Sequence, residues 1–159
     1  MDPYYLTYAS SKLGYDARVV LAGRDVNERV PEFAAAKVAE LLDSGRNDQS
    51  NVSVLFLGLT FKPNVSDLRN SKALTLAGLL VEHDLTLDIY DPFVQSQLPE
   101  GIGNKLQEDP FTLDRVYDAV ILAVPHDIFM VQNNLFLKYI ITLWHFPFLF
   151  PPHHLYLVQ

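Results

Sequence analysis

The stretch that decides the fold is Val52-Ser53-Val54-Leu55-Phe56-Leu57-Gly58-Leu59-Thr60-Phe61-Lys62-Pro63-Asn64, followed by Asp67-Leu68-Arg69-Asn70-Ser71. Val52–Leu57 reads as a buried strand. Gly58 breaks it, and a helical pattern begins near Ser71. A buried strand that turns sharply and shows Lys62, Asp67 and Arg69 before a helix is how α/β proteins build anion sites. Backbone N–H groups at the helix start and basic side chains converge there on phosphate-like groups. The spacing matches neither G-x-G-x-x-G nor G-x-x-x-x-G-K-[ST], so the residues alone indicate a site without naming its ligand.

Outward from this stretch, the pattern alternates as a parallel sheet requires. Lys72–His83 is expected to be a helix and Leu85–Tyr90 a strand ending in Asp91-Pro92. Phe111–Val116 is expected to be a short helix, and Ala119–Val124 a strand ending in Pro125-His126. This order implies a doubly wound sheet with ligands at the carboxyl ends of the strands. Asp91 there is either a ribose-binding carboxylate or a common Asp-Pro turn. His126 is either an acid, base or donor, or a satisfied structural histidine.

Upstream, Pro3–Leu13 has a helical pattern closed by Gly14, and Ala17–Asp43 is a long helical segment rich in alanine. Pro31 inside it means either a kink or two helices that meet there. The alanine-rich half is either a core helix or a subunit-interface helix. Polar residues Ser44–Asn51 form the best domain boundary. The expected organisation is therefore 1–45 helical, 52–131 sheet domain and 132–159 an atypical, proline-punctuated apolar tail without strand or helix period.

The chain has 159 residues, a net charge of −7 and no cysteine. That size suits one domain with a flanking segment. The acidity argues against a nucleic-acid partner, and the missing cysteines exclude disulfides, thiolate metal sites and a cysteine nucleophile within this chain. No metal-ligand cluster is legible, since His153-His154 and Asp127 lack a convincing spacing. The Met1–Tyr5 start has no signal-peptide pattern, and prolines interrupt the apolar run 135–158. A cytoplasmic, non-membrane protein is expected.

Several motifs in order resemble the UDP-glucose/GDP-mannose dehydrogenase family, and most closely the bacterial UDP-N-acetyl-hexosamine 6-dehydrogenases. They are Asp2-Pro3-Tyr4-Tyr5-Leu6-Thr7-Tyr8, Leu21-Ala22-Gly23-Arg24-Asp25-Val26-Asn27, Gly58–Lys62 with Asp67–Ser71, Tyr90-Asp91-Pro92 and Ala123-Val124-Pro125-His126. The likeness runs from Asp2 to about Phe129. It implies an α/β chain: an N-terminal helical dimerisation segment, then a Rossmann-like parallel-sheet UDP-sugar-binding domain, incomplete at its C-terminus.

Members of that family oxidise a sugar C6 hydroxyl to the carboxylate in two NAD-dependent steps, supplying polysaccharide precursors. A cysteine traps the aldehyde as a thiohemiacetal, a second hydride leaves, and water hydrolyses the thioester. By resemblance Phe61 and Lys62 contact the UDP-sugar, Arg69 reaches NAD, and Asp2 holds the catalytic network. The same resemblance implies a homodimer through the 17–43 helix. The family's cysteine, its NAD-binding domain and its closing strand have no counterpart in these residues. The expectation is a fragment that binds UDP-sugar without catalysis, the other readings being a non-catalytic UDP-sugar-binding or dimerisation module and a degenerate gene product.

Overall fold

A computed structural model describes residues 3–44, 52–82, 85–94, 98–99, 101–102, 116–131, 139–142 and 156–157. Three helices come first: α1 (Pro3–Lys12), α2 (Arg18–Glu28) and α3 (Val30–Ser44). Gly14 takes a φ of 76° after α1, the left-handed turn that a glycine closes cheaply. The long helical segment resolves into two helices parted by Arg29. Pro31 falls in the first turn of α3, where its missing N–H costs nothing.

The sheet follows: β1 (Val52–Leu57), α4 (Lys72–Glu82), β2 (Leu85–Tyr90), β3 (Ala119–Leu122), α5 (Asp127–Val131), β4 (Tyr139–Thr142) and β5 (Tyr156–Leu157). The strand order is β2-β1-β3-β4-β5. β1 pairs in parallel with β2, Val52 opposite Leu85, and with β3, Val54 opposite Ala119. The chain therefore goes left from β1 to β2 and returns right to β3, which opens a crevice at the carboxyl end of β1.

Why Val54–Leu57 is apolar without alternation is visible in its two faces. Val54 and Phe56 join a core with Leu87, Ile89, Ala119 and Ile121, covered by Leu76, Ala77 and Leu80 of α4 and by Ala34, Ala35 and Val38 of α3. Leu55 and Leu57 join a second core with Tyr117, Val120 and Phe129. A strand stretch buried on both faces favours apolar side chains at every position. The alanine-rich half of α3 is thus a core helix along one face, with small residues letting it approach α4 closely.

Three expectations are corrected. β3 stops at Leu122 rather than Val124, because the N–H groups of Ala123 and Val124 both turn to the carbonyl of Leu57. Val116 lies outside any helix, and the rest of the expected 111–116 helix falls outside the described residues. The segment after 132 is not without strands. Tyr139–Thr142 adds to β3 in parallel, with Val120 opposite Ile140, and Tyr156–Leu157 adds antiparallel to β4. A β-branched run beside an open sheet edge supplies the missing ladder hydrogen bonds, and the prolines elsewhere in that segment masked it.

Candidate functional site

The crevice is built on the turn after β1. Gly58 has a φ of 88°, and a Cβ there would lie 2.6 Å from both Cβ and the carbonyl oxygen of Val124. Only glycine lets the chain pass so close to the end of β3. The Gly58 N–H donates to the carbonyl of Tyr90 at the end of β2 (2.9 Å), so the turn is tied to both neighbouring strands. Leu59 and Thr60 stay buried; Phe61 and Lys62 then emerge into solvent.

Beyond them the loop closes on itself, with the Phe61 N–H donating to the Asp67 carbonyl at 2.7 Å. Asn64 and Asn70 adopt φ values of 60° and 58°, a left-handed conformation that asparagine tolerates better than most residues. Ser71 ends the loop. Its hydroxyl donates to the Leu59 carbonyl (2.6 Å) and accepts the Leu74 N–H (3.1 Å), so it caps α4 and pins the start of the loop together.

Arg69 and Asp67 satisfy one another. The Asp67 carboxylate accepts the Arg69 backbone N–H at 2.9 Å, Nε–H at 3.0 Å and Nη2–H at 2.8 Å. These hydrogen bonds from the Arg69 side chain and backbone hold the Asp67 carboxyl at about 2. The same pairing pushes the Arg69 guanidinium up. Arg69 is 87% exposed, so the pair lies on the surface and is screened by salt. Lys62 has no ion-pair partner within 4 Å among the described residues, and it is the cation the loop offers to an incoming anion.

Asp91 and His126 are where the sequence reading left two alternatives, and both prove structural. The Asp91 carboxylate is buried, and its Oδ2 accepts the N–H groups of Leu59 (2.6 Å) and Thr60 (3.2 Å). Its Oδ1 accepts the Phe93 N–H at 2.8 Å. His126 is fully buried, its ring centroid 4.7 Å from that of Phe93 and 5.3 Å from that of Phe129. A carboxylate so fully engaged has no oxygen left for a ribose. A histidine enclosed between two phenyl rings cannot reach a reacting atom.

Three of the four residues singled out by resemblance, Phe61, Lys62 and Arg69, are thus on one loop; Asp2 lies outside the described residues. Sequence reasoning passed over Ser71 as a cap and the Tyr117 hydroxyl donating to Asp88 at 2.9 Å in the sheet interior. The signal for Ser71 was available, since serine directly before a helical pattern is a standard N-cap. An aspartate midway along a buried strand had no such marker.

A profile described as the UDP-glucose/GDP-mannose dehydrogenase family, UDP binding domain, matches residues 55–141. The chain belongs to the UDP-glucose/GDP-mannose dehydrogenase family. The match covers the whole loop and runs into β4, well beyond Phe129, where the resemblance was expected to end. The chain is 33% identical to a UDP-N-acetyl-D-glucosamine 6-dehydrogenase of Pseudomonas aeruginosa over 81% of its own length and 30% of the relative. It is 35% identical to the protein CapL of Staphylococcus aureus over 84% of its own length and 31% of the relative.

A solved UDP-glucose dehydrogenase from Pyrobaculum islandicum superposes with a TM-score of 0.66 at 25% identity, covering 88% of this chain and 32% of that one. The chain spans about a third of the length of the family members it matches.

The residues described do not by themselves form an NAD site. The turn after β1 makes a long excursion from Gly58 to Ser71, and the Ser71 hydroxyl occupies the N-terminus of α4. A pyrophosphate bound in the dinucleotide manner needs a tight glycine turn and an open helix N-terminus at that point. Arg69 can offer a single guanidinium from the surface, and no more. No group of three or more histidine, aspartate or glutamate side chains able to hold a metal is present among the described residues, and no helix among them is long and apolar enough to cross a membrane.

Proposed function

We propose that this chain binds the UDP moiety of a sugar nucleotide through the loop Gly58–Ser71, as part of a nucleotide-sugar 6-dehydrogenase. The observation that carries the reading is the UDP-binding-domain match across that loop, which contains an exposed lysine with no competing ion pair among the described residues. The Lys62 ammonium supplies a point charge for the diphosphate, and the exposed Phe61 ring an apolar face for the nucleotide. The parent reaction is the NAD-dependent oxidation of the C6 hydroxyl of a UDP-N-acetyl-hexosamine or UDP-glucose, in the cytoplasm. Arg69 is the residue of this chain that meets NAD. Asp2 belongs to the catalytic network.

The 159-residue chain contains no cysteine, so it forms no thiohemiacetal of its own. Binding rather than turnover is the activity proposed for it alone. A homodimer through residues 17–43, which form α2 and α3, is part of the same reading. Val19, Val26 and Phe33 are all more than two-thirds exposed along these helices, an apolar surface that a second copy would cover.

Calorimetric titration of the folded chain with UDP tests the reading. Saturable binding that Lys62→Ala weakens about tenfold, without a change in melting temperature, is expected. A folded chain that takes up no UDP rules it out.

A further inference from the structure

Asp91 and His126 come from the ends of β2 and β3, yet among the described residues the side-chain hydrogen bonds they make beyond each other and their own turns go to the loop after β1. Asp91 Oδ2 holds the N–H groups of Leu59 and Thr60, at the start of the loop. His126 Nδ1 accepts the N–H of Asn64 at 2.9 Å, further along. The two are joined to each other, Nε2 of His126 lying 3.1 Å from Asp91 Oδ2. Phe61, Lys62 and Pro63 are the exposed residues strung between these anchors. The Thr60 hydroxyl, 3.3 Å from Nε2 of His126, donates to the Lys62 carbonyl at 3.1 Å and braces the same span.

The hydrogen bonds also specify a tautomer. A backbone N–H can donate to Nδ1 only if that nitrogen keeps its lone pair. The ring proton is therefore on Nε2, where it faces the Asp91 carboxylate.

We propose that Asp91 and His126 are positioning residues that set the conformation of Leu59–Asn64, and through it the affinity of the Phe61–Lys62 segment for a nucleoside diphosphate. This rests on the UDP reading of the loop. The two halves of the imidazole have separate duties: Nε2–H completes the Asp91 anchor, and Nδ1 holds the Asn64 backbone on the far side of the loop, where the Asp127 N–H also donates to Asn64 Oδ1 at 3.1 Å.

Two substitutions separate those duties. His126→Gln places an amide nitrogen where Nε2 stood and removes the acceptor for Asn64. His126→Asn places an amide oxygen where Nδ1 stood and removes the donor to Asp91. UDP titrations and thermal melts of the full chain are compared for wild type and both variants. The expected result is an affinity about tenfold weaker in His126→Gln and within about threefold of wild type in His126→Asn, although the asparagine variant melts lower. A purely structural histidine would make affinity follow melting temperature in both, and that outcome overturns the proposal. So does an unchanged affinity in His126→Gln.

If wild-type chain is folded and binds no UDP, the UDP reading fails, and amide hydrogen exchange judges the loop by itself. Exchange at Asn64 at least about tenfold faster in His126→Gln, with Leu59 and Thr60 still protected, sustains the positioning role. Equal exchange at Asn64 in the variant and wild type overturns it. If neither variant folds, the imidazole nitrogen NMR spectrum of the wild type decides, since a proton on Nδ1 is incompatible with the proposed anchor.

Discussion

Nε2 of His126 lies 3.1 Å from Oδ2 of Asp91, and neither side chain has any surface open to solvent. The two residues are 35 positions apart, one beside Pro92 and the other beside Pro125, at the carboxyl ends of strands that flank β1. Together they hold the loop that carries Phe61 and Lys62 through Leu59, Thr60 and Asn64.

The acid limb of stability should report this pair. Burial by itself pushes the Asp91 carboxyl up, but hydrogen bonds from His126 and from the N–H groups of Leu59 and Phe93 outweigh it and leave the group below its ordinary value. The folded state then binds this proton less readily than the unfolded chain. The resulting stabilisation is complete above the ordinary aspartate value of about 3.9 and is lost as pH falls through the lowered folded value. Urea midpoints should drop over that window. Asp91→Asn should flatten the drop and cost about 3 kcal/mol at neutral pH, because one substitution leaves the Leu59 and Thr60 N–H groups poorly matched. Asp67 titrates in the same region, so the comparison is repeated in high salt, which screens the exposed Asp67–Arg69 pair but not the buried one.

Gly58→Ala should destabilise by about 3 kcal/mol or more, or abolish folding. The φ of 88° disfavours any Cβ, and the atoms it meets include Val124 backbone, which cannot swing away. Denaturant unfolding followed by circular dichroism reads the effect. A loss near zero would mean that β1 and β3 part more easily than their geometry implies.

Ser71→Ala should cost about 1–2 kcal/mol, since it uncaps α4 and leaves the Leu59 carbonyl short of a partner. Ser71→Asp offers a cap acceptor for the Leu74 N–H but no donor to Leu59, so its thermal melt should fall between alanine and wild type. An aspartate variant as stable as wild type would assign the whole effect to the cap.

Phe33→Glu should shift the chain from dimer to monomer in sedimentation analysis. Phe33 is 73% exposed on α3, whose opposite side is buried through Ala34, Ala35 and Val38. The substitution therefore leaves the core untouched, and the melting temperature of the monomer should stay close to that of wild type at high dilution. Dimers that persist in the variant would place the subunit contact elsewhere.

Much of the architecture was legible in residue order alone. Val52–Leu57 and Leu85–Tyr90 are strands at the bounds their apolar runs predict, and Lys72–Glu82 is the helix between them. Gly58, the polar loop and Ser71 placed the site at the end of β1, because burial period and turn chemistry are local properties that the chain carries in its own spacing.

What only the tertiary structure decided is which distant groups meet. Nothing local told Asp91 from a ribose ligand or His126 from a catalytic base; their partners, Leu59, Thr60 and Asn64, lie on another strand's loop. The side of α3 that turns inward depends on where α4 lies, and Tyr139–Thr142 becomes a strand because β3 presents an open edge to it. Hydrophobic period says that a residue is buried. It takes the packed sheet to say against what, and a hydrogen bond has no meaning until both ends are in place.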